Sequence, residues 1–500
     1  MVPMTEWTHL SLEEKVGQLL MIGFTGTDAR GPVAKLLSER HVGGVILFFR
    51  NVRDGNHVTD LTAALQSHAS HPLLLAADQE GGSVLRVREG ASLLPSAMGT
   101  GRLGPDVVRE VAGICGSEMR AMGLNINLAP VLDVNVRENP GIGIRSYGED
   151  AQAVARLAEA YVKGLQDAGT LACAKHFPGK GAAKLDAHLD LPTIDRDLPQ
   201  LEALELVPFV AALKAGAAAV MTSHCVYSKI DSLPATLSKM ILTDLLRTQL
   251  KFDGILITDD LEMGAISRYH EGPAAAVASF AAGADVLLIC ANQDFQEKTI
   301  DALVKALKDG DVPMSRLDES LARLWRAKAR IAPRPVATLD QLVAAHAPRL
   351  NAICGEIVQV ARAPVKLPLQ GDQVDVYWPN LSVLTKVEEG SAGEELVKRA
   401  FAARFKRAQI IPYDPVQPAV EPGKAGPVVF FSANAHLYPA QARLITQLRE
   451  KAKPFVLVAL RNPYDAELAG KDDTVVYSYG FLPNQLKATL GVLLGREGGV

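Results

Sequence analysis

The strongest constraint on how this chain can fold is a regular alternation, from residue 19 to residue 292, of short β-rich apolar runs with stretches of helical periodicity. The runs are Leu19 to Phe24, Val42 to Phe49, Leu73 to Asp78, Ile126 to Asp133, Leu171 to Phe177, Ala218 to Ser223, Gly254 to Asp259 and Asp285 to Cys290. Near-continuous hydrophobicity, rather than alternation of apolar and polar residues, marks strands covered on both faces, as in a parallel sheet flanked by helices. Eight such units fit a (β/α)8, TIM-like barrel better than an open doubly wound sheet. The expected fold class is therefore α/β, with the barrel first.

The chain has 500 residues, too many for a single hydrophobic core, and its remainder reads as a second unit. We expect a catalytic barrel over residues 1–335, a helical connector over 336–370 and a smaller α/β (αβα) sandwich over 371–500. Pro333 and Pro335 break the barrel's last helix, Leu339 to Ala361 has helical periodicity, and Pro364, Pro368 and Gly371 follow. The apolar runs Gln373 to Trp378, Gln409 to Tyr413, Val428 to Ala433, Phe455 to Leu460 and Thr474 to Tyr479 then alternate with helices such as Gly393 to Phe405. This half contains neither a Gly-x-Gly-x-x-Gly nor a Gly-Lys-Ser/Thr motif, so a nucleotide cofactor has no support in it.

Composition narrows the function classes. Hydrophobic residues at 48% and charged ones at 22% describe an ordinary globular chain and exclude wholesale disorder. With 52 Lys and Arg against 56 Asp and Glu, the net charge of −4 argues against a nucleic-acid partner. The 5 cysteines are odd in number and lack Cys-x-x-Cys spacing, which points to a reducing, cytoplasmic compartment rather than a disulfide framework or zinc ribbon. The N-terminus carries no visible secretion signal, and the most apolar stretch, Ala274 to Asn292, is interrupted by Asp285, so no membrane span is expected.

A barrel places its chemistry where the strands end, and these endings are polar. Asp78, Asp133, Lys175 with His176, His224 and Asp259 each terminate a different run. Any one of them could merely cap a helix or bond loop backbone. Together, on one rim, they mark a site. In Ile255-Leu256-Ile257-Thr258-Asp259-Asp260, Asp260 is placed to cap a helix beginning at Leu261, which leaves Asp259 to face the barrel mouth. A rim carboxylate facing an acid on another loop is the equipment for displacing a leaving group at an acetal carbon through a covalent ester. After Lys175-His176-Phe177-Pro178, the glycines around Lys180 predict a loop, and that loop carries Asp186 and His188. A carboxylate two residues from an imidazole can fix its tautomer and favour its protonated form, as a general acid requires. Asp78 and Arg86, flanking Gly81-Gly82, suit the paired hydroxyls of a sugar, and Arg145 and Lys175-His176 are further candidates on the same rim. Plain ion pairing remains the alternative for these cations.

The motifs Asp78-Gln79-Glu80-Gly81-Gly82 with Arg86, Ala129-Pro130-Val131-Leu132-Asp133-Val134-Asn135, Ile144-Arg145-Ser146-Tyr147-Gly148, Lys175-His176-Phe177-Pro178-Gly179 with Asp186-Ala187-His188, Met221-Thr222-Ser223-His224 and Thr258-Asp259-Asp260-Leu261 together resemble glycoside hydrolase family 3, in its β-N-acetylglucosaminidase branch. Arg461-Asn462-Pro463-Tyr464-Asp465 resembles the family's appended sandwich domain. The resemblance implies a retaining exo-enzyme, free of cofactor and metal, that removes terminal GlcNAc from peptidoglycan or chitin fragments. It implies Asp259 as nucleophile, an Asp186–His188 acid/base dyad, and Asp78, Arg86, Arg145, Lys175 and His176 as residues holding the sugar, with Asp133 and His224 as further candidates for contact.

Two departures from the pattern stand out. Lys180 replaces a histidine usual in the loop, followed by Ala182 and Ala183 where an acid and a hydroxyl are common, and Ser83 stands where an arginine often follows the paired glycines. The alternatives are a β-glucosidase, β-xylosidase or glycoside phosphorylase of the same fold, a metal-dependent barrel hydrolase, and a non-catalytic sugar-binding relative.

Overall fold

A computed structural model describes residues 6–185, 190–384, 393–420 and 426–495. Asp186 and His188 therefore lie outside the described residues. Eight strands form one parallel sheet: β1 (Leu20–Ile22), β2 (Gly44–Leu47), β3 (Leu74–Ala77), β4 (Ile126–Asn127), β5 (Leu171–Phe177), β6 (Ala219–Thr222), β7 (Ile255–Ile257) and β8 (Leu287–Ile289). Their order is β7-β6-β5-β4-β3-β2-β1-β8, and a parallel bridge between Ile257 and Val286 brings the two ends together into a nearly closed barrel. Every residue of these strands is buried, which is why their sequences run apolar without alternation.

The surrounding helices meet the barrel through stripes of helical spacing. Ala151–Asp167 begins where Asp150 accepts the Ala153 N–H at 2.6 Å, and it buries Val154, Ala158, Tyr161, Val162 and Leu165. Each large aliphatic side chain fully buried in this way contributes about 1.5–3 kcal/mol. The regular ladder of the fourth apolar run ends at Asn127, earlier than expected; Pro130 has no N–H to give, but the Ala129 and Pro130 carbonyls still accept the Cys173 and Lys175 N–H groups, each at 3.0 Å, and a bridge joins Val131 to Lys175.

Six further strands make the second sheet: β9 (Gln359–Arg362), β10 (Gln373–Pro379), β11 (Arg407–Tyr413), β12 (Val428–Ser432), β13 (Phe455–Ala459) and β14 (Thr474–Tyr477). They are ordered β9-β14-β13-β12-β10-β11, and all pairs are parallel except β9 with β14. Successive residues serve opposite faces. Phe430 packs with Leu444, Ile445 and Leu448 of the helix Pro439–Lys451, whereas Phe431 joins Val397, Phe401, Leu486 and Leu490 of the helices Glu394–Arg404 and Pro483–Leu494. The result is an αβα sandwich. The connector differs from expectation: its helix spans Leu339–Ile357, and the stretch read as its last turn forms β9 instead, paired with β14 at the sheet edge. Among the described residues no helix is long and apolar enough to cross a membrane.

Candidate active site

The C-terminal ends of the barrel strands surround a cavity of about 270 Å³. Its wall includes Asp78, Arg86, Arg145, Lys175, His176 and Asp259, all anticipated from sequence, together with Phe48, Arg50, Glu80, Lys180 and Asp260. The antiparallel ribbon of Gln79–Gly81 with Val84–Leu85 folds the chain back after β3, so that the Arg86 Nη2 reaches Asp78 Oδ2 at 3.1 Å. Lys175, near the end of β5, donates to Asp78 Oδ1 and lies within ion-pair distance of Glu80 Oε1, both at 2.7 Å. Arg145 forks onto Glu80 with two bonds of 2.8 Å. Two carboxylates and three cations are thus interleaved out of bulk water, where charge-assisted and bidentate bonds are strongest.

Burial alone would raise the Asp78 carboxyl, but the charges of Lys175 and Arg86 outweigh it and hold the group well below the usual carboxylate range. Glu80 is likewise opposed by burial and is brought down to about 2, chiefly by Arg145 and Lys175. Both acids are ionised at neutral pH and offer acceptor oxygens to hydroxyl groups. Burial disfavours the charged form of Lys175, yet Asp78 and Glu80 raise it above its ordinary value.

His176 donates through Nδ1 to Asp133 Oδ2 at 2.7 Å. Burial first, then the nearby Lys180 cation, lowers the imidazole well below its ordinary value, so it is neutral, and a protonated Nδ1 leaves Nε2 as an acceptor. Asp133 was expected among the sugar contacts. It is fully buried and not part of the cavity wall, its Oδ1 accepting the Lys180 N–H at 2.7 Å while its Oδ2 takes His176. His224, the other expected contact, is also buried and outside the wall: Nδ1 is 2.7 Å from Thr236 Oγ1 and Nε2 donates to the Asp260 carbonyl at 2.9 Å, which holds the turn that follows β7.

Asp259 closes the end of β7. Its N–H donates to Thr222 Oγ1 at 3.2 Å, and its Oδ1 accepts the Asp260 N–H at 2.9 Å. The Lys180 Nζ lies 4.0 Å from Asp259 Oδ2. The helix expected from Leu261 starts only at Gly264. Asp260 still serves backbone N–H groups, those of Glu262 at 3.1 Å and Cys290 at 3.2 Å, but it caps a turn rather than a helix. Ser83 is buried and is not part of the cavity wall.

Glu80, Phe48 and Arg50 were not singled out from sequence. Glu80 sat unremarked inside a motif whose neighbours were chosen, and only the fold brings Arg145 and Lys175 to it from 65 and 95 positions away. Phe48 lies next to the end of the second apolar run, and the guanidinium groups of Arg50 and Arg86 lie 4.4 and 5.4 Å from its ring centre.

The family description "Glycosyl hydrolase family 3 N terminal domain" matches residues 11–327, which span the whole barrel. A beta-hexosaminidase of Stenotrophomonas maltophilia (strain R551-3) is 41% identical over 279 residues, 54% of this chain and 83% of that protein. One from Thiobacillus denitrificans (strain ATCC 25259 / T1) is 35% identical over 344 residues, 67% of this chain and 93% of that protein. The solved structure of a glycoside hydrolase family 3 beta-N-acetylglucosaminidase from Paenibacillus sp. str. FPU-7 superposes with a TM-score of 0.88 at 36% identity, covering 97% of each chain. A barrel with a carboxylate-rich mouth, a sandwich behind it and likeness of this extent lead to one assignment: the chain is a glycoside hydrolase and belongs to family 3.

Proposed function

We propose that the protein is a retaining exo-β-N-acetylglucosaminidase that removes terminal β-linked GlcNAc from peptidoglycan- or chitin-derived fragments. The observation that carries this reading is the Asp259 carboxylate in the wall of a cavity that also presents Asp78, Glu80, Arg86, Arg145 and Lys175, ionised in alternating sign and already paired. Such a wall recognises vicinal hydroxyls by exchange of partners, while Asp259 supplies an electron pair to the anomeric carbon. The relatives' names, beta-hexosaminidase and beta-N-acetylglucosaminidase, support the acetamido sugar.

In the first step Asp259 forms an ester bond to C1 as the glycosidic C–O bond breaks, and His188, oriented by Asp186, gives a proton to the departing oxygen. In the second, the neutral imidazole takes a proton from water as the water oxygen bonds C1, and the Asp259–C1 bond breaks to release the sugar with net retention. Asp78, Glu80, Arg86, Arg145, Lys175 and His176 hold the sugar hydroxyls. No cofactor enters this scheme, and residues 1–335 carry all of it. Five cysteines, all buried and free, support work in a reducing compartment such as the cytoplasm.

The test is a comparison of aryl β-GlcNAc with aryl β-glucoside, each with and without inorganic phosphate. We expect the GlcNAc glycoside to be cleaved at least about 100-fold faster in kcat/KM, a difference of about 2.7 kcal/mol in transition-state binding. Faster turnover of the glucoside would overturn the acetamido assignment. Acceleration by phosphate with release of a sugar phosphate would replace hydrolysis by phosphorolysis, the one competing reading that the Lys180 ammonium beside Asp259 favours.

A further inference from the structure

In an open sheet of this kind the crevice where strand order reverses, here between β10 and β12, is the usual place for a ligand. In this chain the neighbouring strand ends turn to the barrel instead. His436, just beyond β12, places Nδ1 2.7 Å from Asp465 Oδ1 and Nε2 3.2 Å from the Arg137 carbonyl of a barrel loop. Both side chains are buried. From there the segment Pro463–Leu468, which follows β13, reaches over the barrel rim.

Contacts of Tyr464, Glu467 and the preceding Asn462 tie it there. The Tyr464 Oη accepts the Asn135 Nδ2–H at 2.8 Å and donates to Glu149. Arg137 pairs with Glu467 and lies over the Tyr464 ring. Asn462 abuts Gly143 so closely that a Cβ there would fall 2.7 Å from Asn462 Oδ1. On the barrel side, Asn135 accepts the Gly143 N–H at 3.0 Å through Oδ1 and donates its own N–H to the Gly148 carbonyl at 2.8 Å. Gly143–Arg145 is a single helical turn, and it delivers the guanidinium that forks onto Glu80. One phenol oxygen therefore joins residues 135 and 149, the two ends of the loop that presents Arg145.

We propose that Tyr464 is a positioning residue for the sugar site: the second domain acts through it to hold the 135–149 loop, and so Arg145, in the geometry that binds the glycone. This rests on the reading of Arg145 as a sugar contact. The binding energy of a charged fork depends on its alignment, so loosening the loop weakens sugar binding while leaving Asp259 in place.

The test is a double-mutant cycle of Tyr464→Phe and Arg145→Ala in the full chain, read as KM for an aryl β-GlcNAc, Ki for free GlcNAc, kcat and melting temperature. Tyr464→Phe keeps the ring on Arg137 and removes only the two hydroxyl bonds. We expect it to raise KM and Ki about five- to tenfold with kcat within about twofold and melting unchanged, and to add nothing further in the Arg145→Ala background. A Tyr464→Phe enzyme with unchanged KM and Ki, or one whose effect is equally large without Arg145, would overturn the inference. Arg145→Ala leaving KM and Ki unchanged would instead overturn the sugar-contact reading, and the inference with it.

Discussion

Asp259 and Asp260 are adjacent acids whose surroundings drive them to different tasks. Asp260 is pushed up to about 7, first by burial and then by the charges of Glu262 and Asp259, against hydrogen bonds from the Glu262 N–H and the Cys290 side chain. A carboxyl that titrates near 4 unfolded and near 7 folded binds more protons in the native state across that interval, so its contribution to stability is complete below the unfolded value and lost as pH rises through the folded one. We predict that Asp260→Asn, which keeps an acceptor for the Glu262 and Cys290 N–H groups, removes this loss: wild type falls relative to the variant between about pH 4 and pH 7 in urea midpoint. Parallel profiles would contradict the account. At this scale the sequence showed which acids end strands at the cavity, as Asp78 and Asp259 do, while polarity alone did not show which side chains reach its wall. Asp133 and His224 look like Asp78 in sequence, yet Asp78 lines the cavity while they are bonded to loop backbone outside its wall, a distinction only packing creates.

Among the elements, the start of the loop after β5, around Lys180 and Gly181, is held by its backbone. The Lys180 N–H binds Asp133, and Asn139 Nδ2 donates to the Lys180 and Gly181 carbonyls at 3.0 and 2.9 Å. Replacing the usual histidine by Lys180 leaves these bonds intact, because they use main-chain atoms, and changes only what points at Asp259. Gly181 has no room for a side chain: a Cβ would lie 1.7 Å from the Val134 carbonyl oxygen. Gly181→Ala must therefore shift one of the two backbones, and we expect a loss of about 1–3 kcal/mol in unfolding free energy together with a fall in kcat/KM. Wild-type stability and activity in that variant would show that the loop is looser than these contacts imply. Strand runs were legible because burial on both faces writes itself into composition; their ends were not, since Pro130 and the turn at Leu261–Met263 depend on hydrogen bonds across the barrel.

For the whole molecule, the eight-unit alternation and the second α/β unit were readable from apolar periodicity, and the switch of Gln359–Arg362 from connector to sheet edge was not, because pairing to β14 is decided far along the chain. The use of the sandwich as a support for the barrel rim was equally hidden, resting on contacts such as Asn135 to Tyr464 across 329 positions. The proposed function requires one carboxylate, Asp259, to form a bond to a sugar from within a wall of paired charges. The direct test is to incubate the enzyme with a 2-fluoro or 5-fluoro glycosyl fluoride of matching configuration, digest it, and locate the label by mass spectrometry. The account predicts a single glycosyl ester on the peptide containing Asp259, absent from Asp259→Asn; label on another side chain, or none under conditions where substrate is turned over, would contradict it.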